Sequence, residues 1–323
     1  MGDNDYLFAV ARIHVKEKTL LSDMDVAQMA GMKTEQDVLN FLTDRGWGDG
    51  SSPVDAAGLL AAEEAKTWDL MRELRIDPAV FQVLELPKLY HNLGCAIKEA
   101  VLGKVPERVY FDIDKYDGET MGRIVREKRW EDLPSHMKET ARNAYELMAK
   151  TGDGQRCDSI VDRGCILACL EAGKKSKNSL LAEYEESTAA VTDIKIAVRA
   201  ARTGKTLNFL NEALAPCSQV DVRYLALAAA EGQEKLLSWL EEHGFGKAAE
   251  ALKDSPSAFE RWCDNRVIET ILPQKRKYNS QGPVIAYYLA RENEIKTARI
   301  ILTAKANGFS EEFTKERVRR MYG

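Results

Sequence analysis

The segment RAARTGKT at 199–206 carries most of a phosphate cradle in nearly the right order. A P-loop reads G-x-x-x-x-G-K-[ST] between a strand and a helix, and its first glycine permits the turn that aims backbone N–H groups at phosphate. Here Arg199 holds that first position, and the residues before it follow a helical pattern. A helix C-terminus presents carbonyl oxygens, which repel phosphate. The Gly-Lys pair therefore reads as a helix stop, and Gly103-Lys104 repeats it without a Ser or Thr. Cys157, Cys165 and Cys169 raise metal ligation, since Cys165 and Cys169 share a helix face. No histidine lies near them in sequence, and their spacing fits no common zinc pattern. With Cys95, Cys217 and Cys263 they read as buried, reduced thiols. The four histidines (His14, His91, His136 and His243) form no HExxH, and nothing local selects a Cys–His or Ser–His pair. No catalytic residue, cofactor-binding residue or metal ligand is expected.

Charge narrows the classes further. The 323 residues hold 46 Lys and Arg against 51 Asp and Glu, a net charge of −5, which argues against a nucleic-acid partner. Two basic clusters stand out: Lys275-Arg276-Lys277, and Arg317 with Arg319 and Arg320. They are the candidate partner-binding residues, suited to an acidic partner or to anionic headgroups. The acidic pairs Glu63-Glu64, Glu185-Glu186 and Glu241-Glu242 read as solvated helix faces. No apolar run approaches the roughly 20 residues that cross a bilayer. The opening MGDNDYLFAVARIHV lacks the pattern of a secretory signal, and Tyr6 stands where a myristoylation start has Ser or Thr.

The elements that would position these residues are helical. Apolar residues make up 45% of the chain and charged residues 30%, an ordinary globular balance. Ser52-Pro53 is a cap-plus-proline start for a helix whose Ala57, Leu60, Glu64, Trp68, Met71 and Leu74 keep helical spacing. Asp77-Pro78 starts another. Residues 176–203 contain no proline or glycine and read as one long helix ending at Gly204, with Lys205 beside the negative end of its dipole. RVYFDI at 108–113 is the best extended segment, a short link. Tyr287-Tyr288 reads as core.

One phrase recurs: IKEAVLGK at 97–104, VRAARTGK at 198–205 and ARIILTAK at 298–305. Its first and fourth positions are apolar, its second is basic (Lys98, Arg199, Arg299), and it closes on Lys104, Lys205 and Lys305. Self-similarity at a fixed period marks repeated units. The expectation is an all-α chain of three similar helical-bundle lobes, with approximate boundaries 1–116, 117–217 and 218–323. The spacing exceeds that of helical solenoids, which counts against a generic helical-repeat scaffold for soluble partners, the alternative reading. An all-helical enzyme with a nonlocal site is the third.

The stretch GPVIAYYLARENEIKTARIILTAKANGF at 282–309 resembles the C-terminal signature of the central-stalk C subunits of V/A-type rotary ATPases, the counterparts of the eukaryotic V-ATPase d subunits. The matching residues are Gly282-Pro283, Tyr288, Glu292, Glu294, Ile295-Lys296, Arg299, Ile300-Ile301-Leu302 and Lys305. DYLFAVARIHVKEKTLL (5–21) and DVLNFLTDRGWGD (37–49) look like the family's opening. Val10, Thr297-Ala298 and Ala304 depart from its usual Asn, Asn-Leu and Gly. The resemblance implies a noncatalytic adaptor without cofactor, its three lobes forming a funnel with pseudo-threefold symmetry. Its implied partners are the D and F shaft subunits and the membrane proteolipid ring. It would be present as one copy in a hetero-oligomer, cytoplasmic and peripheral to the membrane, coupling ATP chemistry to H+ or Na+ transport.

Overall fold

Most helix starts among the described residues are set by side chains that take up orphan N–H groups. Ser22 with Asp25, and Thr34 with Asp37, form reciprocal capping boxes. Asp55 accepts from Gly58 N at 2.7 Å, and Asp77 precedes Pro78 at the next start. The computed structural model describes residues 5–50, 55–103, 110–113, 115–278 and 280–323. The expected Ser52-Pro53 start and Lys104 lie outside the described residues.

Among the described residues every regular element is helical, an all-α fold. In chain order the helices begin with α1 (Asp5–Glu17), α2 (Asp23–Gly31), α3 (Glu35–Asp44) and α4 (Ala56–Glu73). There follow α5 (Pro78–Leu102), α6 (Gly118–Arg126), α7 (Lys138–Thr151) and α8 (Gly154–Lys175). Next come α9 (Ser179–Thr203), α10 (Leu207–Ala213), α11 (Val222–Glu231) and α12 (Gln233–Glu242). The last are α13 (Gly246–Asp254), α14 (Pro256–Ile271), α15 (Gly282–Ala306) and α16 (Glu311–Lys315). A 3-10 turn at Leu272–Arg276 precedes α15.

The chain divides into two compact units, one running to Ile76 and resuming at Leu240, the other Asp77–Trp239. In the first, α2, α3 and α4 pack on α15 around Met29, Val38, Leu42, Leu59, Ile301 and Leu302. In the second, α5 to α8 enclose Leu93, Ile97, Met121, Met137, Met148 and Cys157, and α9 packs on α8 and α11.

The three copies of the repeated phrase end three helices of equal length, α5, α9 and α15, each 25 residues. The first position of the phrase is buried each time, as Ile97, Val198 and Ala298. The basic second position meets acids: Lys98 pairs with Asp158 at 2.6 Å and Arg299 with Glu64 at 3.0 Å. Arg199 lies in the field of Asp162. The phrase is thus a packing pattern, one side buried and one side ion-paired. Its stops are those the sequence signals. Gly204 takes φ +63°, a left-handed conformation that costs other residues a Cβ clash, and donates to Ala200 O. Gly103 ends α5, and Asn307-Gly308 follows α15.

The expected link is held by a side chain. Tyr110–Ile113, the described part of RVYFDI, pairs with no strand among the described residues. Instead Asn92, fully buried on α5, accepts from Phe111 N at 2.9 Å and donates to Phe111 O at 2.8 Å. One side-chain amide does the work of a strand neighbour. Replacing Asn92 with Ala leaves that backbone unpaired in the interior, and a loss of about 2 kcal/mol is expected in denaturant unfolding.

Candidate functional site

Helix α15 is buried on nearly all sides, so its polar residues must find partners inside the first unit. Arg291 pairs with Glu294 one turn on and with Glu63 of α4. Its guanidinium lies 5.0 Å from the Trp47 ring centre. Glu63 also accepts from Gly48 N at 2.9 Å and Lys66 Nζ at 2.7 Å, and Glu294 accepts from Leu21 N. Burial works against the charge on Arg291, and Glu294, Tyr287 and Glu63 more than restore it, so its pKa is raised. The network joins α4, the turn after α3, the approach to α2 and α15.

The other signature residues are likewise in contact. Tyr288 is buried edge-on to Trp68 at 5.0 Å, Lys296 pairs with Asp264 at 2.9 Å, and Lys305 donates to Ala30 O at 2.6 Å. Tyr287 is buried beside Tyr288, as core. A hollow of about 360 Å³ opens beside Arg291. Of its other cations, Arg12 pairs with Glu73, Arg45 with Asp25 and Lys66 with Glu63, while Lys16 is exposed. The arrangement holds these helices together through ion pairs.

The basic clusters, about forty residues apart in sequence, converge. Lys275 Nζ lies 4.7 Å from the Tyr322 ring centre. Arg319 pairs with Asp264 of α14, and Arg320 donates its backbone N–H to Asn265 at 2.9 Å. Arg317 stacks on Phe313 at 3.3 Å. Arg319 is therefore committed to internal contacts, while Lys275, Arg276, Lys277 and Arg320 are exposed.

RAARTGKT is a stop followed by a start. Lys205 N donates to Ala200 O at 3.0 Å, its Nζ reaches Gln155 at 2.9 Å, and Thr206 caps α10. The six cysteines are reduced thiols; Cys157, Cys169 and Cys263 are buried, and the others half-buried. Among the described residues no three His, Cys, Asp or Glu side chains cluster as metal ligands. No described helix is long and apolar enough to cross a membrane.

A family model for the ATP synthase (C/AC39) subunit matches residues 9–317. The chain belongs to this C/AC39 family. It is also similar to the V-type sodium ATPase C subunit of Enterococcus hirae, 20% identical over 278 residues that cover 81% of each chain. Membership makes the chain a component of a larger ATPase complex.

Sequence reasoning misread three acids of this C/AC39 chain. Glu63, Glu185 and Glu186 are buried, not solvated, whereas Glu241-Glu242 is exposed. Arg291 was passed over too. Its signal was available: a lone cation closing the apolar run PVIAYYLA must be paired or lie at a surface.

Proposed function

We propose that this chain is the noncatalytic central-stalk adaptor of a V/A-type ATPase. It couples the shaft, made of the D and F subunits, to the membrane proteolipid ring for rotary H+ or Na+ transport. The observation that carries this reading is the family match across residues 9–317. Three equal helices closing on one phrase support an internally repeated body; its lobes, at 1–116, 117–217 and 218–323, would form a funnel about a pseudo-threefold axis. The exposed basic residues Lys275, Arg276, Lys277 and Arg320, with half-buried Arg317, are contact residues for partners, while Arg319 stays on Asp264.

A torque adaptor must transmit strain without yielding, and close-packed interiors have low compressibility. The buried ion pairs of α15 suit this, because they fix the position of each helix as well as its burial. The adaptor would sit on the cytoplasmic side, one copy per complex, without spanning the membrane. Depleting the chain should leave a head that still hydrolyses ATP while ion pumping falls to background, measured by paired phosphate-release and vesicle-uptake assays. Pumping at full rate without it overturns the coupling role.

A further inference from the structure

Helix α1 is apolar on two opposite sides. Ala9, Val10 and Ile13 are buried within the first unit, yet Phe8 is 72% exposed, Val15 64% and Leu7 47%. Residues 7, 11 and 15 recur every fourth position and residue 8 precedes 15 by seven, so with exposed Ala11 they form one stripe. A helix apolar all round is normally buried all round. The outer stripe of α1 is therefore uncovered surface that calls for a second environment.

Its borders are basic. Lys16 and Lys18 are exposed on α1 and just after it. The His14 ring lies 5.2 Å from that of Tyr278, and Gln281 donates to the Tyr6 hydroxyl. These contacts set Tyr278 and Gln281 against α1, so exposed Tyr278, with the exposed triplet Lys275-Arg276-Lys277 just before it in the chain, borders the stripe. The nearest acid of α1, Glu17, is half-buried with its Oε2 on His14 Nδ1 at 2.7 Å. Five exposed cations thus surround an apolar ridge in a chain of net charge −5.

We infer that this face of the first unit docks on an anionic phospholipid surface. Leu7, Phe8 and Val15 enter the boundary between headgroups and acyl chains. Lys16, Lys18, Lys275, Arg276 and Lys277 meet the headgroup phosphates. An apolar ridge bordered by Lys and Arg is the pattern of a helix lying in a membrane interface, and anionic lipid adds attraction for each cation. Side chains as exposed as Phe8 and Val15 stand out from the surface. A deformable lipid layer accepts such a ridge, whereas a folded partner would need a matching hollow.

The full chain is sedimented with vesicles of phosphatidylcholine alone or mixed with phosphatidylglycerol, at low and high salt. Binding to the anionic vesicles is expected to be about tenfold tighter and to weaken with salt. The double variant Phe8→Asp, Val15→Asp should lose about tenfold while keeping its thermal melt, since both positions are exposed. Lys275→Glu with Lys277→Glu should abolish the preference for anionic lipid. Equal binding to both vesicle types, or unchanged binding by the Asp variant, overturns the inference. So does failure to sediment combined with loss of capture by purified ring or shaft proteins, which would assign the face to a protein. The vesicles contain no other part of the ATPase, so this result and the coupling role stand or fall separately.

Discussion

Arg291→Ala is expected to lose about 3–5 kcal/mol of stability, because it strands two buried carboxylates whose charge the guanidinium balances. Glu63 would keep Gly48 N and Lys66, and Glu294 would keep Leu21 N. Neither set replaces a cation held between both acids. The loss should appear in urea unfolding followed by tryptophan fluorescence, to which Trp47, buried under the guanidinium, contributes. Adding Glu63→Gln and Glu294→Gln to Arg291→Ala removes the stranded charge and should recover part of the loss. A loss below about 1 kcal/mol in the single variant, the range of an exposed pair, would show that the network does not hold the unit together.

The cost is large for the same reason the network was hard to read. Helix ends were legible because their signals are local. Gly103, Gly204 and Asn307-Gly308 stop helices where they stand, whatever packs around them. The end of α9 at Thr203 followed from Gly204, while its start falls three residues inside the expected 176–203, where Asn178 caps it. A glutamate carries no such mark. Glu63 is the same letter in water or against Arg291, and its partner lies 228 residues away. The packing of α2, α3 and α4 on α15 is hidden likewise, since period and charge describe one helix at a time. The link at RVYFDI was legible as a link, but not what holds it: Asn92 of α5 supplies the partner that a strand would have. Lys275 and Tyr322, far apart in sequence, meet only through the fold. The uncovered stripe on α1 was the most accessible of the missed features, because Leu7, Phe8 and Val15 sit on a helix whose other apolar side already fills a core.

Alkaline pH is expected to loosen the α8–α9 packing of the second unit, through two buried acids of α9. Burial pushes Glu185 up to about 8, with only Cys169 of α8 bonding to it in opposition. Burial likewise pushes Asp193 up to about 7, against the opposing pull of Ala215 N and the field of Arg163. Asp193 Oδ1 accepts from Ala215 N at 2.9 Å, while its Oδ2 has no partner, an arrangement that favours the neutral acid. Glu186 differs: Ser218 and Lys174 outweigh its burial and keep it low, so it stays ionised through this range. For a folded pKa above the unfolded value, the folded state holds more protons between the two. The stabilisation is therefore complete below about pH 4 and is lost as pH rises through about 7 for Asp193 and 8 for Glu185. Glu185→Gln and Asp193→Asn hold each site neutral at every pH. Relative to the parent, each should gain about 4 kcal/mol between acid and alkaline pH, the free energy that separates an ordinary carboxyl from one held near 7 or 8. Hydrogen exchange of the central α9 amides, corrected for intrinsic rates, reads this directly. Parallel pH profiles for parent and variants would mean that these carboxyl groups are already solvated when folded, and the α8–α9 interface would have to be looser than its packing around Cys169 and Ala215 implies.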